Sequence, residues 1–138
     1  MRCEAPRASE ELYVPAFPRV TFTSPAIASV GLTDEEANEQ GLVCECRVLP
    51  FGYVPRAIVN RDTRGVVKIV AERESGRILG VHVLAEGAGD LILAALYAMD
   101  ADFTVQQLAD AWCPYLTMGE ASISRPSLSL ATLSCCAS

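Results

Sequence analysis

Gly65-Val66-Val67-Lys68-Ile69-Val70-Ala71, then Glu74-Ser75-Gly76-Arg77, then Ile78-Leu79-Gly80-Val81-His82-Val83-Leu84 is the stretch that decides the fold. Both flanks are rich in valine and isoleucine, which favour a pleated, half-buried surface. A Ser-Gly step separates them, so they read as two antiparallel strands joined by a hairpin turn. Toward the N-terminus, Ala57-Ile58-Val59 and Cys44 to Phe51 read as further strands. So do Val20-Thr21-Phe22-Thr23 and Ile27-Ala28-Ser29-Val30-Gly31, with Ser24-Pro25 as the turn between them. Thr33-Asp34-Glu35-Glu36 is a capping box, and the helix it opens stops at Gly41, a residue suited to a left-handed cap.

Beyond the hairpin the chain changes character. Gly89-Asp90 opens a helix, Leu91 to Met99, that is apolar on nearly every side and must be buried on nearly every side. A single small sheet covers one face only, so the other face suggests a subunit interface. Thr104-Val105-Gln106-Gln107 and Thr117-Met118-Gly119-Glu120 are two more capping boxes, each opening a helix, and Pro126 ends the last one. Strands come first and helices last. The expected class is therefore α+β, an antiparallel sheet of four to five strands with helices packed on one side. The expected organisation is an irregular leader over 1–14, the α+β domain over 15–120 and a Ser-rich tail over 121–138.

Composition narrows the function. Hydrophobic residues make up 51% of the 138 and charged residues 20%, the balance of a folded chain with a sizeable core. The longest apolar run is the nine residues from Leu91 to Met99, and a membrane span needs about 20. Net charge is −6, and Lys68 is the one lysine. The arginines are scattered, so nucleic acid is not the expected partner. His82 is the one histidine, which excludes a metal site built from several. It has no acidic or cysteine partner at a telling spacing and reads as a strand residue. No signal peptide is visible after Met1-Arg2-Cys3, which places the chain in the cytoplasm, where thiols stay reduced.

The cysteines are the chemical feature. Cys135-Cys136 is a vicinal pair next to the C-terminus. Thiolates prefer soft metals and exchange them by attack of one thiolate on another's partner, so an accessible tail is a suitable place. The bland alternative is a chance pair at a frayed end. Cys44 and Cys46 alternate on a strand and share a face; they could hold a metal together or serve as small core residues. Cys113 precedes Pro114 and Tyr115 and reads as a packing residue near any site that Tyr115 lines. Cys3 lies in the leader. Tyr115 could offer its hydroxyl to a site or simply pack, and Glu120 has a structural explanation as the acid of the Thr117 box. Gly87-Ala88-Gly89 lacks the third glycine and the βαβ context of a dinucleotide fingerprint.

Asn60-Arg61-Asp62-Thr63-Arg64-Gly65-Val66-Val67-Lys68 with Ser75-Gly76-Arg77-Ile78-Leu79-Gly80-Val81 resembles the C-terminal interface domain of the flavin-dependent pyridine nucleotide–disulfide oxidoreductases. Within that family, Val54-Pro55-Arg56-Ala57, Thr104-Val105-Gln106, Leu108-Ala109-Asp110, Pro114-Tyr115-Leu116-Thr117-Met118 and Leu133-Ser134-Cys135-Cys136-Ala137 resemble the mercuric reductase branch. The similarity runs from about Val14 to Ser138. Relatives that act on dithiols carry a histidine where Tyr115 stands and a glutamate where Glu120 stands. The tyrosine fits metal transfer between thiolates, which needs no imidazole relay.

The resemblance implies a homodimer interface domain whose tail delivers Hg(II) to the redox-active dithiol of the opposite subunit. Cys135 and Cys136 would capture the ion, and Tyr115 would line the path as a passing ligand or hydrogen-bond donor. FAD and NADPH would belong to the full-length parent, which reduces Hg(II) to the element. This sequence contains no flavin fingerprint, nicotinamide domain or redox-active cysteine pair, so the isolated chain is expected to be inactive. The stretch between Glu120 and Cys135 is serine-rich, broken by Pro126 and shorter than the family's usual helix, which alters the reach of the tail. A free-standing soft-metal thiolate protein and a purely structural dimerisation module are the alternatives.

Overall fold

The computed structural model describes residues 17–122 and 131–133. Its centre is the hairpin. Strand β4 (Val66–Glu72) pairs with β5 (Ile78–Ala85) antiparallel, Val67 opposite Val83 and Ile69 opposite Val81, with a register shift at Val70/Ala71. Gly76, in the turn, has φ +71, a conformation that costs glycine little. β3 (Cys44–Pro50) flanks β4, and β2 (Ala26–Gly31) flanks β5. β1 (Arg19–Thr21) lies outside β2, giving the five-strand antiparallel sheet that the sequence implies. A sixth strand, β6 (Ala131–Leu133), lies outside β3, so the order is β1-β2-β5-β4-β3-β6. It comes from the stretch that reads as tail.

Helix α3 (Ala88–Asp100) packs across β2 and β5. Leu91, Ile92, Ala95 and Ala98 are buried against Val81, Val83, Ala28 and Val30. Each buried valine, leucine or isoleucine is worth about 1.5–3 kcal/mol of apolar transfer. Among the described residues nothing covers the outer face of α3: Leu93 and Tyr97 are 48% and 64% exposed. Helix α2 (Pro55–Val59) and α4 (Val105–Asp110) join the same core through Ala57 and Val105. This is the expected layer of helices on one side. The short α1 (Asp34–Glu39) lies on the other face, where Ala37 packs with Cys44, Cys46, Val70 and Leu79. Lys68, on that same face of β4, pairs with the Asp34 carboxylate at the start of α1.

Two capping boxes form as the sequence predicts. The Glu36 amide donates to the Thr33 hydroxyl (3.2 Å) and the Thr33 amide to the Glu36 carboxylate (2.8 Å). Thr104 and Gln107 repeat the arrangement at 3.2 and 2.8 Å. Gly41 follows α1 with φ +76, as expected of its cap position.

Two local readings are corrected. Ala57-Ile58-Val59 is not a strand but part of α2. Pro55 takes the first helical position, where its missing N–H costs nothing, and Val54 before it is extended (φ −95, ψ 115). Thr117-Met118-Gly119-Glu120 opens only a short 3₁₀ turn, Met118–Ser122. The Thr117 hydroxyl donates to the Pro114 carbonyl at 2.9 Å instead of serving a helix N-terminus.

Candidate functional site

The site is set by where α4 ends. α4 is anchored to the hairpin turn: Arg77 bridges to Thr104, and the Val105 amide donates to the Gly76 carbonyl at 2.9 Å. After Ala111 the chain turns extended and crosses residues 112–117 before the 3₁₀ turn, which packs on α3. The Thr117 hydroxyl ties this crossing to Pro114, with the Cys113 Sγ 3.6 Å from the same oxygen. Leu116 takes φ +65, a left-handed conformation unusual for a leucine. The turn so made presents Tyr115 outward, 79% exposed. Its ring is open to an approaching partner or ion.

Beside this turn lies a cavity of about 480 Å³ between α3 and the crossing segment. Asp90, Leu91, Leu108, Trp112, Cys113 and Met118 contribute to its wall, which is mainly apolar. Trp112 is 100% exposed over its whole surface. Sequence reading did not single out Trp112, and it named Asp90 only as the start of a helix. The available signal was a lone tryptophan placed just after a helix with a clear N-terminal box. The cavity lies beside the exposed side of α3, so Tyr115, Trp112 and Tyr97 all belong to surface that the described residues leave uncovered.

The remaining candidates separate cleanly. Cys44 and Cys46 are each 1% exposed in the small core under α1. They form no disulfide, and the packing reading is the one the burial supports. The Cys44 thiol faces the Asp34 carbonyl and the Asn38 side chain at 3.9 and 3.8 Å. Cys113 is half-buried in the cavity wall. His82 has Nε2 3.1 Å from the Leu32 carbonyl oxygen. A carbonyl only accepts, so that nitrogen carries the proton. Gly87 has φ +73 and caps α3, its carbonyl accepting from the Asp90 and Leu91 amides. It does not build the three-glycine cradle of a dinucleotide site. Glu120 is half-buried in the 3₁₀ turn, its amide 3.4 Å from the Thr117 carbonyl. Among the described residues no group of three or more His, Cys, Asp or Glu side chains could hold a metal. Cys3, Cys135 and Cys136 lie outside the described residues; β6 ends two residues before Cys135.

The profile of the pyridine nucleotide-disulphide oxidoreductase dimerisation domain matches residues 17–124, which is most of the chain. The chain belongs to this family. The dimerisation domain is similar in sequence to part of several mercuric reductases. That of Streptomyces lividans is 56% identical over 133 residues, covering 94% of this chain and 28% of the relative. That of Lysinibacillus sphaericus is 52% identical over 103 residues, covering 75% and 19%. In structure the domain resembles the HOCl-induced flavoprotein disulfide reductase RclA from Escherichia coli. The TM-score is 0.77 at 32% identity, over 83% of this chain and 26% of that one. LpdA from Mycobacterium tuberculosis gives 0.72 at 28% identity, over 78% and 23%. The dimerisation domain thus spans 19% to 28% of the length of these relatives. No helix among the described residues is long and apolar enough to cross a membrane.

Proposed function

We propose that this domain joins two subunits of a cytoplasmic mercuric reductase and delivers Hg(II) between them. The observation that carries the reading is the 56% identity to the Streptomyces lividans enzyme, extending over 94% of this chain. Two features agree with it. The outer face of α3 is apolar and uncovered, as a self-association surface requires. Tyr115 stands exposed on a turn braced by Thr117, within reach of a docking partner.

The chemistry assigned to the chain is ligand exchange. Cys135 and Cys136 bind the ion as thiolates. An incoming thiolate forms a new sulfur–mercury bond as one tail sulfur leaves, and the leaving thiolate takes a proton from solvent. The oxidation state of mercury does not change in these steps. Tyr115 guides the ion by hydrogen bonding or brief coordination. FAD and NADPH supply the electrons in the parent enzyme. Both cofactors are assigned to parts of the parent outside this domain, whose own share of the work is to hold the subunits together and carry the ion.

The test is Hg(II) titration of the reduced chain against a Cys135→Ser/Cys136→Ser variant, with a small competing thiol present. Loss of one tight equivalent in the variant supports delivery through the tail. Equal binding removes the tail from the mechanism and leaves a purely structural dimerisation module. NADPH oxidation by the pure chain, given FAD and Hg(II), would contradict the assignment of electron transfer to other domains.

A further inference from the structure

Cys44 and Cys46 leave β3 on the same face, with Glu45 between them turned to the other side. Both are 1% exposed. Ala37, Val70 and Leu79 surround them, with Leu32 and Leu42 at the margin. Two residues of a strand span about 6.7 Å. With metal–sulfur bonds of about 2.3 Å, the zinc–thiolate length, a linear two-thiolate ion needs its sulfurs about 4.6 Å apart. Leaning the two side chains toward each other closes that difference without moving the backbone.

Charge decides which ion fits. The surroundings are hydrocarbon, so a complex that leaves a net charge there is costly. Two thiolates around a divalent ion sum to zero; around a monovalent ion they leave a negative charge. A four-coordinate ion such as Zn(II) lacks its other ligands, because among the described residues no group of three or more His, Cys, Asp or Glu side chains could hold a metal. The acids beside the pair are engaged: Asp34 by Lys68, and Glu72, opposite Cys44 in the sheet, by Ser75. The match is a soft divalent ion that is satisfied by two sulfurs on a line.

We infer that Cys44 and Cys46 form a buried thiolate site under α1 for a linear, divalent, soft cation. Loading exchanges ligands and nothing else. The ion arrives on two small thiolates. Each protein sulfur bonds the metal as one small thiolate leaves, and the proton of the protein thiol goes to the leaving thiolate. No oxidation state changes. The Cys44 proton that faces the Asp34 carbonyl and the Asn38 side chain, at 3.9 and 3.8 Å, is one of the two given up. Packing describes the empty pair. Burial makes filling slow, because uptake waits for the small core to open. The cover is α1, six residues long and held at its start by the Thr33 box. An ion held here is out of reach of a docking partner, so the site stores rather than delivers. It uses neither the tail nor Tyr115 and stands apart from the function proposed above.

The full reduced chain carrying Cys3→Ser/Cys113→Ser/Cys135→Ser/Cys136→Ser keeps the pair as its only thiols. Hg(II) is offered as its complex with an excess of small thiol, and native mass spectrometry reads the product. The expected species gains one Hg(II), loses two protons and retains no small thiol, while its circular dichroism stays that of the empty chain. Adding Thr33→Ala speeds uptake about fivefold, since that box holds the cover. No uptake, or an ion that still carries a small thiol, overturns the site. Loss of the native spectrum on loading assigns the ion to the unfolded chain and overturns it too. An Ag(I) adduct as resistant to the small thiol as the Hg(II) adduct overturns the selection by charge. An unchanged uptake rate in Thr33→Ala overturns α1 as the cover. Where the fourfold variant does not fold, the wild-type chain with its accessible thiols first blocked by maleimide gives the same readout.

Discussion

Gly80 lies so close beneath Leu32 that a Cβ on the glycine would sit 2.1 Å from the leucine's carbonyl oxygen. Both atoms involved are fixed: Gly80 is in β5, opposite Gly31 of β2, and the Leu32 amide donates to the Leu79 carbonyl at 2.9 Å. No side chain can swing aside to relieve the contact. Gly80→Ala should destabilise the domain by about 3 kcal/mol or prevent folding. Gly52→Ala, where a Cβ meets nothing within 4 Å, should change the urea midpoint little. Equal midpoints for the two variants would contradict the close approach.

The Thr33 and Thr104 boxes should behave alike. Thr33→Ala and Thr104→Ala each remove a hydroxyl that accepts from a first-turn amide. Each should cost about 1 kcal/mol. Denaturant midpoints report it, and a loss below a few tenths would mean that the cap is redundant in the folded chain.

Acid should reveal the Asp62–Arg64 pair. The Arg64 guanidinium donates to both Asp62 carboxylate oxygens at 2.8 and 2.7 Å and lowers its pKa from 3.8 to about 2. The folded value is the lower one. The pair's contribution is therefore complete above pH 3.8 and is lost as pH falls toward 2. Glu36 shifts in the same direction, mainly because it accepts the Thr33 amide. Carboxyl NMR titration should show Asp62 moving back toward 3.8 in Arg64→Ala. Because Arg64 is exposed and Asp62 only partly buried, water screens the pair and overall stability should change little.

Cys44 and Cys46 should be silent toward thiol reagents in the native state. Both are 1% exposed, so labelling must wait for opening of the sheet. Their rates should fall about a thousandfold or more below those in denaturant. Rapid native labelling would show that the core under α1 is open.

Tyr97→Asp tests the outer face of α3. The residue is 64% exposed and makes no part of the chain's own core. The variant should keep its fold, by circular dichroism, and sediment as a smaller species than the wild type. Unchanged sedimentation would place the self-association surface elsewhere.

The β4–β5 hairpin was readable because pattern and turn lie within one short stretch, and the capping boxes because their partners are three residues apart. α2 was misread because Ile58 and Val59 are β-branched. The stronger local cue was Pro55, which fixes the first helical position. The Thr117 box failed because the preceding chain offers the hydroxyl a nearer acceptor, the Pro114 carbonyl. β6 left no mark, since a strand that borrows its partner from residues 46–48 needs no pattern of its own. From the residues alone Tyr115 could serve a site or pack; the resemblance supplied its expected role, and its exposure had to come from the structure. The cavity beside it depends on α3, α4 and the 3₁₀ turn meeting, which no single segment announces.

The tail strand also bears on how the protein behaves in bulk. β3 is seven residues long and carries Cys44, Cys46, Val48 and Leu49. Stripped of β6, its outer backbone donors and acceptors would face water unpaired, a template onto which another molecule's strand can add. At the opposite border β1 is only three residues and begins with Arg19, a poor template. A chain ending before residue 131 would thus gain one sticky border rather than two. Its aggregates should grow by pairing along that single margin.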